Sequence, residues 1–294
     1  MGTMDPLQRY TAAATRSAGT VIGAYSTSFG LATKFLGAPA RRDIANLYAL
    51  VRLADEIVDG VAVQAGLEPR EAEEALDRLE SETEAALDTG YSTNLVVHAF
   101  AATARSHDIT TALTRPFFTA MRTDLHRTEH TEESLADYIY GSAEVVGLMC
   151  LAVFRSMPGT ATTESQTLAR GAQRLGAAFQ KINFLRDLGA DRDELGRCYF
   201  PGVDPVTFSD VEKHRLVADI RQDLDAAEAG IGLLDLRARL AVGVAHRLFH
   251  ELTDQIDETP AQQIGARRIR VNNARKVALA VDTALQRVRR GSRA

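Results

Sequence analysis

The chain has 294 residues, 45% hydrophobic and 25% charged, with a net charge of −5. That balance supports a sizeable core in one large domain or two small ones, and the acidic excess excludes a general nucleic-acid binder. The two cysteines, Cys150 and Cys198, form no C-x-x-C pair, which excludes a disulfide framework or a cysteine–zinc site and fits a reducing cytoplasm.

Along the chain, "MGTMDPLQRY" lacks the basic-then-apolar plan of a signal peptide. Strand signals are nearly absent, and apolar residues recur at three and four, as in Ile44, Leu47, Tyr48 and Val51. The pattern predicts about eight to ten helices over roughly 7–17, 19–35, 40–59, 70–88, 92–107, 115–124, 132–155, 164–188, 209–231, 233–257 and 272–289, some joining into one bent helix. Pro39, Pro69 and Pro116 mark helix starts. The acidic stretch 68–88 reads as a solvated helix face. The longest apolar run, "VVGLMCLAVF" (145–154), is half of the ~20 residues that a membrane span needs. No spanning helix is expected, and peripheral contact with a membrane stays open. With no repeat and no Gly/Ser linker, a single all-α domain over 1–294 is expected, disordered at 1–6 and in the basic tail 290–294.

Two acidic stretches carry the chemistry. In "YALVRLADEIVD" (48–59), helical geometry of ~100° per residue puts Tyr48, Arg52, Asp55 and Asp59 within an arc of roughly 60°. Taken alone, this reads as an exposed face with an Arg–Asp pair. In "QKINFLRDLGAD" (180–191), Gln180, Asn183, Asp187 and Asp191 share an arc of roughly 80°. Phe179, Ile182, Phe184, Leu185 and Leu188 make the other sides of that helix apolar. A buried helix with carboxylates on its one polar face needs neutralising charge. Two such helices facing each other suit Mg²⁺, which takes carboxylate oxygens and completes its shell with water and phosphate oxygens. Mn²⁺ is an alternative. Held this way, the ion binds diphosphate as a leaving group, with Arg and Lys on the remaining oxygens.

From about residue 20 to 280 the sequence resembles the squalene/phytoene synthase family of all-helical prenyl transferases. The resemblance rests on "YSTSFGLA" (25–32), "RRDIANLYALVRLADEIVD" (41–59), "DYIYGSAEVVGLM" (137–149), "QKINFLRDLGAD" (180–191), "GRCYFP" (196–201) and "RRIRVNNARKVALA" (267–280). It implies an isoprenoid-synthase-type bundle around a central apolar cavity. There two allylic diphosphates join head to head through a cyclopropyl diphosphate. It implies Asp55 and Asp59 in a first metal motif and Asn183, Asp187 and Asp191 in a second. Gln180 would line the cavity, Ser26, Ser28, Tyr48, Arg52, Arg186 and Arg268 would meet diphosphate, and Tyr138 would be a catalytic cavity tyrosine. The expected substrates are two geranylgeranyl diphosphates, giving phytoene without NADPH. The alternatives are two farnesyl diphosphates, giving presqualene diphosphate, dehydrosqualene or, with NADPH, squalene; class I terpene cyclisation; and a catalytically dead helical scaffold. Oligomeric state is not legible.

Candidate walls for the cavity are Phe29, Leu31, Val146, Leu148, Met149, Phe179 and Phe184. Departures from the family pattern are Glu56 beside Asp55, which retains the capacity to coordinate; Ala190, where Glu is usual; Glu144 in place of a small residue; Phe249 in place of a cavity tyrosine; and Tyr25 in place of a base. His126 and His130, read as i,i+4 on one helix, lack a third ligand and are expected on the surface. The same holds for His246 and His250, and "HELTD" (250–254) lacks the second His of a zincin.

Overall fold

The longest element, Ser165–Leu195, runs 31 residues, about 46 Å at 1.5 Å per residue, and the rest of the bundle is arranged around it. The computed structural model describes residues 5–264 and 269–291. In chain order its helices are α1 (Pro6–Tyr25), α2 (Thr27–Ala32), α3 (Ala38–Val58), α4 (Val61–Gln64), α5 (Pro69–Thr89), α6 (Leu95–Ser106) and α7 (Thr111–His126). There follow α8 (Glu132–Ile139), α9 (Val145–Arg155), α10 (Ser165–Leu195), α11 (Asp210–Gly232), α12 (Leu236–Glu258), α13 (Ala261–Ile264) and α14 (Asn273–Gly291). A 3₁₀ turn, Thr33–Phe35, follows α2, and a π turn, Tyr140–Glu144, joins α8 to α9. Among the described residues there is no strand, only one isolated bridge between Glu129 and Cys198.

The helices begin where their caps dictate. Thr131 and Ser209 close capping boxes with Ser134 and Glu212 at α8 and α11, and Asn94 accepts from two backbone N–H groups at α6. Pro116 does not start a helix. Thr110 caps α7 instead, and the proline lies inside it. α10 outruns the expected end at 188 and stops at Gly196, whose φ of +66° is the left-handed conformation that glycine adopts without strain. Of the ends expected to be disordered, 1–4 and 292–294 lie outside the described residues, while α1 begins at Pro6 and α14 runs to Gly291.

α10 packs against α11 on one side and against α9 and the π turn on the other; α12 is flanked by α11 and α14, and α1 by α3 and α6. Glycines permit the closest of these approaches. A Cβ on Gly147 would stand 2.4 Å from the carbonyl oxygen of Ala172, and one on Gly176 2.5 Å from that of Ala143. The core is continuous, from Leu47, Leu50 and Phe100 through Phe117, Phe118 and Met149 to Ile182, Leu185 and Leu224. The continuous helical run Glu132–Arg155 is long and apolar enough to cross a membrane by length and composition, which the ten-residue run alone did not suggest. Half of its apolar window is buried inside the bundle, as befits a core helix.

Candidate active site

A chamber of about 790 Å³ runs between α3 and α10. Its rim is polar: Ser26, Ser28, Tyr48, Arg52, Asp55 and Asp59 on one side, Gln180, Asn183, Arg186, Asp187 and Asp191 on the other. The 3.6-residue period aligns each row on its own helix, and the packing of the bundle turns both rows to one hollow. Tyr138 and Ser142 lie in the wall, and the depths are apolar, with Phe29, Val146, Leu151, Phe154, Leu168 and Phe179. Arg268 lies outside the described residues. From the same basic stretch Arg270 and Lys276 reach the chamber, two residues that the sequence did not single out.

The carboxylates are crowded. Burial, with Asp59 next, pushes Asp55 up to about 8. Burial, followed by Asp187 and Asp59, raises Asp191 to about 7, so charges on the two helices sense one another. Removal from bulk water also raises Asp59, against the pull of Arg197. The cations are crowded in turn: burial and then Arg270 and Arg186 hold Lys276 below the usual lysine range. Its ammonium donates to Thr27 Oγ1 at 2.7 Å. A rim with crowded carboxylates on both rows and clustered cations nearby matches a polyanion brought in with hard cations.

The donors Asp55, Asp59, Asn183, Asp187 and Asp191 are all oxygen, the chemistry that Mg²⁺ prefers. Among the described residues no three Asp, Glu, His or Cys side chains converge on one point. The set therefore fits an ion that keeps water and phosphate oxygens in its shell, not an all-protein cage. Arg186 Nε donates to Asp187 Oδ1 at 2.9 Å. Arg52 pairs with Glu56, and its guanidinium lies 4.5 Å from the centre of the Tyr25 ring. Glu56, held in that pair, is not among the residues that line the chamber. Ala190 is exposed and also outside the lining, and Glu144 accepts from Gln173 Nε2 at 3.0 Å.

Three expected wall residues are absent from the lining. α9 turns Val146, Gly147, Cys150, Leu151 and Phe154 to the chamber, which puts Leu148 and Met149 on other faces, in core packing. Leu31 packs instead with Val244, Leu248 and Leu279. Phe249 does line the chamber, stacked on Phe179 with ring centroids 3.8 Å apart. The histidines meet other side chains and backbone groups of the bundle. α7 ends at His126, which meets Glu73 Oε1 at 3.0 Å, and His130 lies in the following loop, buried beside Tyr138 and Tyr199 and not at the surface. His246 meets the carbonyl of Leu224, and His250 meets Asp254.

Behind the rim lies a second polar layer that the sequence did not reveal. Tyr138 donates to Asp124 Oδ2 at 2.6 Å and Tyr199 to Asp124 Oδ1 at 3.1 Å. Burial raises Asp124 to about 6 although Arg197 and Tyr138 pull it down, and burial with Asp124 holds the Tyr138 phenol well above the usual range. The available signal was Asp124 at i, i+4, i+7 with Phe117 and Met121, a charge on the buried stripe of α7.

A family model for squalene/phytoene synthases matches residues 22–275. The chain is 32% identical over 235 residues to a 15-cis-phytoene synthase of Paracoccus sp., covering 76% of this chain and 75% of the relative. It is 27% identical over 261 residues to the 15-cis-phytoene synthase of Enterobacter agglomerans, covering 81% and 84%. In fold it is similar to a dehydrosqualene synthase solved in complex with a ligand. The TM-score is 0.73, the identity 22%, and the match covers 95% of this chain and 98% of that one.

Proposed function

Since the chain belongs to the squalene/phytoene synthase family and is a prenyltransferase, we propose that it condenses two geranylgeranyl diphosphates head to head, through a cyclopropyl diphosphate, to phytoene. The observation that carries this reading is the pairing of two acidic helix faces, with cations between and beside them, at the mouth of one deep apolar chamber. The phytoene synthases among the chain's relatives support the C20 substrate.

Mg²⁺, held by oxygens of Asp55, Asp59, Asn183, Asp187 and Asp191, would supply the charge that binds diphosphate and eases its departure. The chain's own groups do the rest. Arg52, Arg186, Arg270 and Lys276, with the hydroxyls of Ser26 and Ser28, bind phosphate oxygens and orient the two head groups. Tyr48 and Gln180 border the same space. Phe29, Phe179 and Phe249 line this space and exclude water from the cationic carbons. Tyr138, bonded to Asp124, stays a neutral phenol in the wall. Two free thiols support a reducing compartment such as the cytoplasm. Exposed Val277 and Val281, beside Lys276 on α14, support a peripheral contact with the bilayer that takes up an oily product.

The test is incubation of purified protein and Mg²⁺ with each prenyl diphosphate, with and without NADPH, followed by mass spectrometry. Phytoene from geranylgeranyl diphosphate without NADPH is expected. A C30 product from farnesyl diphosphate and none from geranylgeranyl diphosphate would overturn the C20 assignment, and a cyclic product from a single diphosphate would favour a cyclase.

A further inference from the structure

We propose that Arg197 is a positioning residue that ties the two acidic rows together and holds Asp59 in place to receive metal-bound diphosphate. The inference rests on the functional reading above. Gly196 ends α10 and turns the chain back, so that the backbone N–H of Arg197 donates to the carbonyl of Asp191 at 3.0 Å. Its side chain then crosses to α3. Nη1 donates to Asp59 Oδ1 at 3.2 Å, and Nη2 donates to the carbonyl of Val58, in the last turn of α3, at 2.6 Å. One residue thus binds the last carboxylate-bearing position of both rows, through its backbone on one side and its guanidinium on the other.

The guanidinium is only 6% exposed, so its aim depends on its partners. Nη1 also donates to Tyr199 Oη at 3.3 Å, and Asp124 Oδ1 lies 3.9 Å from it. Asp124 in turn accepts from both Tyr138 and Tyr199. The stack of Phe184 on Tyr199, with ring centroids 3.9 Å apart and planes 10° from parallel, fixes this layer to α10. Only a planar fork reaches Asp59, Val58 and Tyr199 together; an ammonium on a flexible stem does not. Asp59 itself stays open, its side chain 42% exposed, with its orientation set from behind. Partners of this kind, which hold a ligand without touching the ion, typically set metal affinity over about 10–100-fold.

The test compares wild-type protein with Arg197→Lys and Arg197→Met by calorimetric titration of Mg²⁺ together with inorganic pyrophosphate, and by thermal melts without ligand. The expected result is a Kd for magnesium pyrophosphate raised at least ten-fold in both variants, Arg197→Lys remaining folded. Both variants binding within two-fold of wild type, with any loss confined to the melting temperature, would reduce Arg197 to a helix cap and overturn the inference. Should Arg197→Met fail to fold, Arg197→Lys decides by the same criterion. Wild-type protein that binds no magnesium pyrophosphate overturns the functional reading, and this inference with it; normal binding by the variants overturns this inference alone.

Discussion

Phe179 of α10 and Phe249 of α12 stack with their rings 21° from parallel, and both line the chamber. Phe29 completes the cluster from α2, its centroid 5.8 Å from Phe179 and 5.9 Å from Phe249. Truncation should both loosen the bundle and breach its wall. Phe249→Ala is expected to lower stability by about 3–5 kcal/mol in urea unfolding. It should also divert product toward prenyl alcohols, through water reaching the cation. Unchanged products by mass spectrometry would show that Phe249 does not shield the reacting carbons.

Asp187 faces the chamber from the centre of the α10 row. Asp187→Ala should cut turnover at least about a hundred-fold, since it removes an oxygen that holds the ion. The melting temperature should change little, because the substitution also relieves like charge around Asp191. Turnover within a few-fold of wild type would contradict the metal-holding role.

Asp124 bears on the pH dependence of folding. Its carboxyl is raised to about 6 in the folded chain, against ~3.9 in an unfolded one. Between those values the folded state keeps a proton that the unfolded state has lost. This group's contribution is therefore complete below about pH 4 and fades as pH rises through 6, by ~1.4 kcal/mol per unit at most. Asp124→Asn should remove that slope. The check is the difference in urea-unfolding free energy between wild type and variant from pH 4 to 7; a difference flat across that range would show that Asp124 titrates as it does in water.

Lys213 is a buried cation, 2% exposed, remote from the chamber lining. Its ammonium donates to the carbonyls of Asp257 and Thr259 at 2.8 and 2.7 Å and pairs with Asp210, closing the C-terminal end of α12. Lys213→Met should cost about 2–4 kcal/mol, since it strands those carbonyls without a donor. At a temperature where the variant is folded, turnover should match wild type. A parallel loss of turnover in the folded variant would mean that the end of α12 is coupled to the chamber.

The rim was legible because it follows a period. Tyr48, Arg52, Asp55 and Asp59 lie on one helical row and Gln180, Asn183, Asp187 and Asp191 on another, and helix geometry alone aligns each row. The layer behind it was not, because Asp124, Arg197 and Tyr199 come from a helix and a loop whose meeting is set by tertiary packing. The α9 wall was misread for another reason: Leu148 and Met149 come from a stretch apolar on every side, whose sequence does not say which face meets the chamber. His130 was placed on the surface because it was paired with His126 as i,i+4 on one helix; α7 ends at His126, and the loop beyond it folds inward against Tyr199.

The π turn, Tyr140–Glu144, has a consequence for how the hollow acquires its lining. A π turn is an α-helix with one residue too many, and everything beyond it is rotated by a single step. Removing one residue from the turn would restore an ordinary α-helix and leave the later side chains facing where they do now, because the wider turn absorbs the extra residue. Closing the turn with all its residues kept would instead advance everything beyond it by about 100° and swing Val146, Cys150 and Phe154 away from the hollow. The greasy end of the vault is thus set by a count as well as by residue identities.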